Sequence, residues 1–166
     1  NTIIIVVIGI TILTLGLRWI YGIFGNLEEQ QDQLQDLTAG KLAEIFGESG
    51  DAISIPSKIV STKQGEKEKL AITWRNIYEI THKFKFLIQI DAVPASIQQN
   101  AVLAKLKWYK GEKIVKSGDG FQDIVSFDTK GLPLGEYRFV TTLQCIDCTP
   151  PEEAGSLPLN IEVRAK

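Results

Sequence analysis

The chain has 166 residues, a formal net charge of −2, and a hydrophobic fraction of 44%. Basic residues are spread rather than clustered, which excludes a nucleic-acid surface built on concentrated positive charge. Two cysteines exclude a multi-disulfide scaffold, and the length allows one domain plus an appendage.

Residues 2–17 carry no charged side chain; Arg18 interrupts, and an apolar stretch resumes from Trp19 to Leu27. Between Thr2 and Thr14 every residue except Gly9 and Leu13 is β-branched, a composition that favours strand in water. Inside a bilayer only a helix satisfies its own backbone polar groups, and residues 2–21 supply the roughly 20 residues a crossing needs. The eleven Ile, Val and Leu between Ile3 and Leu17, at about −0.3 to −0.6 kcal/mol each, favour insertion by roughly 3 to 7 kcal/mol. Arg18 would cost about 2.5 to 3.5 kcal/mol at the bilayer centre, but near the end of the span it can snorkel. Trp19 and Tyr21 beside it suit the interface. The competing reading, a secretory signal peptide, lacks a basic leading region and an A-x-A-like cleavage site.

Side chains expected to pack against lipid or neighbouring helices are Ile4, Ile5, Ile8, Gly9, Ile12, Leu15, Gly16, Ile20, Ile23 and Phe24, with Arg18, Trp19 and Tyr21 interfacial. Thr2, Gly9 and Gly16 recur every seven positions, giving a stripe along which a second helix can approach. From Glu28 the chain turns polar, yet Leu27, Leu34, Leu37, Leu42, Ile45 and Phe46 fit one helical face. The spacing predicts one long helix over residues 2–46, stopped at Gly47. Its polar half is expected to pack its Leu stripe on the following domain.

From Ala52 the hydrophobic period becomes two. Strands are predicted at 53–55, 58–62, 69–76, 83–91, 103–110, 113–116, 121–127, 137–146 and 158–163. Phe84, Phe86, Ile88 and Ile90 share a face opposite Lys83, Lys85 and Gln89; Leu70, Ile72 and Trp74 share another, as do Leu159, Ile161 and Val163. Glycine-bearing turns around Gly65, Gly111, Gly118 and Gly131 separate the strands. The fold class is therefore α+β: a long N-terminal helix, apolar in its first half, over residues 1–47, then an immunoglobulin-like antiparallel β-sandwich over 52–166.

Cys145-Ile-Asp-Cys148 is the one motif with a chemical flavour. A redox role needs the first thiol at a helix N-terminus, whereas this one ends a predicted strand and runs into Pro150 and Pro151. A zinc site lacks two ligands beyond the cysteine pair, since the chain has no third Cys and a single His82. A short-loop disulfide and a pair of free thiols both remain open. His82, at a strand entry, reads as exposed, and Trp74 and Trp108 as core. Because Trp108 and Tyr109 are adjacent on a predicted strand, one must face outward and offers a carbohydrate-stacking surface. No phosphate loop, nucleophile elbow or paired-carboxylate constellation is present, so neither an enzymatic activity nor a cofactor is expected.

Residues 132–140 contain Gly135 and Tyr137 in an arrangement that resembles the turn-then-strand entry of fibronectin-type domains, where a Gly makes the corner and a Tyr packs over it. The full-length architecture, an apolar helix leading into a β-rich domain, resembles the archaeal branch of the type IV pilins, in the class III signal peptide superfamily that also holds the archaellins. In that family a prepilin peptidase removes a short basic leader, and the mature chain begins at the apolar helix, as Asn1-Thr2-Ile3 is expected to do. Many bacterial members carry a glutamate just behind the mature N-terminus; Ile3, Ile4 and Ile5 stand there instead, and archaeal members commonly lack the acid. The resemblance implies a major pilin of an extracellular, adhesive homopolymer. Its partners would be other copies of itself, the membrane before assembly, the assembly machinery and a surface ligand. The rival reading is a permanently membrane-anchored sandwich of the archaellum-stator or surface-layer-contact type. A third is an anchored thiol–disulfide enzyme.

Overall fold

The computed structural model describes residues 34–37 and 39–166. The apolar part of the helix predicted over residues 2–46, residues 2–27 with the packing residues and with Arg18, Trp19 and Tyr21, lies outside the described residues. Among the described residues no helix is long and apolar enough to cross a membrane.

The described chain is mostly β, with two short helices: β1 (Leu34–Leu37), α1 (Ala39–Phe46), β2 (Ile53–Ser54), β3 (Ile59–Lys63), β4 (Lys67–Arg75), β5 (His82–Ala92), α2 (Gln99–Leu103), β6 (Leu106–Lys107), β7 (Glu112–Val115), β8 (Gly120–Asp128), β9 (Gly135–Cys145) and β10 (Glu152–Arg164). The strands form two sheets, ordered β1-β8-β4-β2 with β6 also on β8, and β3-β10-β9-β5-β7. Every pairing is antiparallel except β3 with β10. This is a two-sheet, immunoglobulin-like sandwich.

Alternation puts the core where the period-two pattern requires. Phe84, Phe86 and Ile88 of β5 are buried with Tyr137, Phe139 and Leu143 of β9 and Leu159, Ile161 and Val163 of β10. The facing sheet contributes Ile72 and Trp74 of β4 and Phe121, Val125 and Phe127 of β8. Across the interface, Trp74 lies 6.1 Å from Phe84, and Phe127 lies 5.7 Å from Tyr137 and 5.6 Å from Phe139. Tilted and edge-on pairs of this kind stabilise beyond their area alone. The corner before β9 is built on Gly135, whose φ of +141° disfavours any side chain. Two residues on, the Tyr137 hydroxyl donates to the Pro133 carbonyl at 2.8 Å, forming a tyrosine corner. Burial raises the Tyr137 phenol pKa.

Three expectations need correction. The single helix over 2–46 does not hold within the described residues: Leu34–Leu37 form a strand that pairs residue by residue with Gly120–Asp123 of β8. The helical preference of this Gln- and Leu-rich run is a weak local term, and the open edge of β8 offers its backbone a full set of partners. The sandwich therefore begins ahead of residue 52. Among the described residues of that stretch the helical part is α1, which is closed by Gly47, where φ is +55° and the amide donates to the Ala43 carbonyl. Leu42 and Phe46 of α1 are buried with Leu37, while Ile45 is exposed. The Arg75 guanidinium of β4 sits 4.4 Å above the Phe46 ring and donates to the Ser49 and Asp51 carbonyls, so β4 holds the segment after α1. Second, the predicted strand over 103–110 shrinks to Leu106–Lys107, because Gln99–Leu103 form α2 and bury Val102. Third, β10 begins at Glu152, directly behind Pro150 and Pro151, rather than at 158; the Thr149–Pro150 peptide is cis.

Candidate functional site

Among the described residues, reactive side chains gather at the loop between β9 and β10, where it meets the start of β5. β9 ends at Cys145, whose register partners are Phe84 on β5 and Glu152 on β10. Ile-Asp then carries the chain to Cys148, and the two cysteines are joined as a disulfide with Cα atoms 5.6 Å apart. The bridge closes a loop of two intervening residues. Cys145 is buried and Cys148 half-buried.

His82 opens β5 on the same face as Phe84, Phe86 and Ile88. Its side chain is 14% exposed, so the exposed histidine expected from sequence is replaced by one packed into the end of the core. The Tyr78 ring meets it edge-on at 5.1 Å and stacks on Phe84 at 6.1 Å. Burial, followed by the hydrogen-bonded Glu152 carboxylate, pushes the Tyr78 phenol up to about 12. Asp147 closes the group. Its Oδ1 accepts the Lys83 backbone N–H at 2.9 Å and stands 3.1 Å from His82 Nδ1. Those two contacts, the Lys83 amide first, hold its carboxyl below the usual range. The loop is pinned further where the Ile146 amide donates to the Lys83 carbonyl at 2.8 Å.

His82, Cys145, Asp147 and Cys148 thus present ligand-type atoms that all lie within 4.8 Å of one another. While the sulfurs are bonded to each other, neither is a thiolate and the group has no soft anionic ligand. The sequence signal for His82 was available: period-two alternation places residue 82 on the inward stripe of 84, 86 and 88. Asp147 is 65 residues away from it, and nothing local announces that meeting.

Next to Tyr78, a cleft of about 380 Å³ is lined by Arg75, Asn76, Ile77, Tyr78, Glu79 and Ser117. Its walls are fixed by the Asn76 side-chain amide, which donates to the Ile80 and Val115 carbonyls, and by Ser117, which donates to the Tyr78 carbonyl. Trp74 is buried, as expected; Trp108 is half-buried, donates from Nε1 to the Phe86 carbonyl at 3.2 Å and lies under the Lys110 ammonium. Tyr109 is also half-buried, so the pair presents no flat exposed aromatic platform.

No family model matches the chain, and no curated protein matches it. Among solved structures the chain is similar to a family 123 glycoside hydrolase from Clostridium perfringens (TM-score 0.49, 9% identity), with 65% of this chain covered. It spans about a quarter of that protein's length, 23%. It is also similar to PapD-like domain 7 of human CEP192 (TM-score 0.45, 13% identity, 72% of this chain and 89% of that one). A third likeness is to WR4, an MSP family member of C. elegans (TM-score 0.42, 10% identity, 69% and 99%).

Proposed function

We propose that this chain is the structural subunit of an extracellular filament of the type IV pilus kind, closest to the archaeal branch, and that it is not an enzyme. The observation that carries the reading is in the sequence: residues 2–27 hold a single charged side chain, Arg18, and stand directly ahead of a sandwich domain. The mechanism is physical. Before assembly the apolar segment is a helix in the membrane with the sandwich outside. On assembly, neighbouring copies replace lipid around Ile4, Ile8, Gly9, Ile12 and Gly16, and the sandwiches coat the helical core. Burying one Val, Leu or Ile is worth about 1.5–3 kcal/mol against water, so the eleven between Ile3 and Leu17 hold each subunit in the polymer. The contacts are heterologous and do not close, which is how open helical filaments arise. A sandwich with its own aromatic core suits the outer coat, where it meets solvent, surfaces or other cells and serves adhesion.

The rival, a permanent membrane anchor, is favoured by Arg18, Trp19 and Tyr21, which form an interfacial set at one end of the span. Shearing cells and imaging the released material separates the two. Filaments that contain this chain support the subunit reading; a chain that stays wholly with the membrane fraction, with no filament released, supports the anchor and removes the pilin.

A further inference from the structure

The cluster at the end of β9 has a geometry that its disulfide conceals. His82 Nδ1 is 3.1 Å from Asp147 Oδ1, Cys145 Sγ is 3.6 Å from Asp147 Oδ1, and Cys148 Sγ is 3.8 Å from His82 Nδ1. A tetrahedral zinc ion holds nitrogen and oxygen at about 2.0–2.2 Å and sulfur at about 2.3 Å, which sets neighbouring ligand atoms roughly 3.3–3.8 Å apart. Three edges of such a tetrahedron are therefore already close to the required length. The remaining short edge is the sulfur–sulfur bond.

We propose that His82, Cys145, Asp147 and Cys148 form a latent site for Zn²⁺, closed while the disulfide is intact and opened when a dithiol reduces it. In the first step the dithiol transfers two electrons and two protons to the disulfide, leaving as a cyclic disulfide and giving two thiols. In the second, the metal displaces both thiol protons to solvent and binds two thiolates, the neutral imidazole through Nδ1 and the Asp147 carboxylate. The bound site carries a net charge of −1. Two thiolates and an imidazole select zinc over calcium or magnesium, and two cysteines separated by two residues have the spacing of structural zinc loops.

The surroundings keep the ligands in place when the covalent bond opens. The imidazole is met edge-on by Tyr78 and Phe84. The Lys83 amide holds Asp147, and the Lys83 carbonyl accepts from the Ile146 amide. Cys145 is fixed by its β5 and β10 neighbours. Reduction then needs only side-chain rotation to spread the sulfurs. The inference is independent of the filament reading and applies to the chain in either setting.

The test uses the full chain in non-ionic detergent, reduced with dithiothreitol, freed of it without air, and titrated with Co²⁺ and then Zn²⁺. One equivalent of Co²⁺ is expected to give the sulfur-to-metal charge-transfer band and the intense visible bands of a tetrahedral ion, both bleached by Zn²⁺. The oxidised chain is expected to give neither. Zn²⁺ is also expected to raise the melting temperature of the reduced chain alone. His82→Ala and Asp147→Asn are each expected to weaken binding by about tenfold or more, and the double Cys145→Ser, Cys148→Ser variant to abolish it. The proposal is overturned if the reduced chain binds no better than the oxidised one, if it loses its near-ultraviolet circular dichroism and zinc does not restore it, or if the His82 and Asp147 variants bind like the parent.

Discussion

Asp123 is the residue whose replacement should be most informative about the core. It lies on the inward face of β8 between Phe121 and Val125, opposite Ile72 of β4, and is 0% exposed. Among the described residues neither carboxylate oxygen has a hydrogen-bond partner. Burial pushes its pKa up to about 7, and the Tyr109 and Ile124 amides pull the other way without closing a hydrogen bond. The folded state therefore binds the Asp123 proton more tightly than the unfolded chain, where the value is about 3.9. A raised carboxylate pKa makes stability fall as pH rises from about 4 to about 7 and stay flat above. Three pH units at about 1.4 kcal/mol each put the full penalty near 4 kcal/mol, of which about 3 kcal/mol develops between pH 5 and pH 8. Asn has nearly the same shape and cannot ionise. In urea unfolding of the full chain in non-ionic micelles, followed by the fluorescence of buried Trp74, the stability of Asp123→Asn minus that of the parent is expected to grow by about 3 kcal/mol from pH 5 to pH 8. A difference that stays constant over that range would refute the reasoning.

Tyr137→Phe removes the hydroxyl that donates to the Pro133 carbonyl and is expected to cost about 1 kcal/mol, read as a melting temperature lower by about 2–4 °C. Gly120→Ala sets a methyl against the Trp74 carbonyl and 2.9 Å from Leu42 Cδ2. Because backbone cannot give way, the variant is expected to lose about 1–3 kcal/mol and to speed hydrogen exchange at the Gly47 amide; unchanged exchange there would mean that α1 is not held by Gly120. Gly9→Glu places a charge on the small-residue stripe of the apolar segment and is expected to abolish filaments in electron micrographs of sheared material. Normal filaments from that variant would count against helix packing at Gly9.

Much of the sandwich is legible in the sequence because the two faces of a half-buried strand alternate. β4, β5, β8 and β9 declare themselves through Leu70–Ile72–Trp74, Phe84–Phe86–Ile88, Phe121–Val125–Phe127 and Tyr137–Phe139, and the corner at Gly135 and Tyr137 could be assigned from ten residues. β1 was hidden for a physical reason. Gln35 and Asp36 sit in a run of good helix formers, and only the vacant edge of β8, more than 80 residues downstream, makes a strand the better solution. α2 was masked because Ala104, Leu106 and Trp108, alternating with Lys105 and Lys107, suggest a continuous strand that the chain abandons for one helical turn at its start. The parallel pairing of β3 with β10 joins Ile59 to Asn160 and has no local signature. The reactive corner divides the same way. The Cys145 and Cys148 spacing and the inward position of His82 can be read from the chain, but the contact of Asp147 with His82 arises only when β9 pairs with β5.

The most direct measurement of the central claim, that the apolar segment exchanges lipid for copies of itself and never meets water, is sedimentation of the purified full chain after detergent removal. Polymers that pellet at low speed and appear as uniform filaments by electron microscopy are the expected result. A stable monomer in plain buffer, with residues 2–27 intact and accessible to solvent, would contradict it.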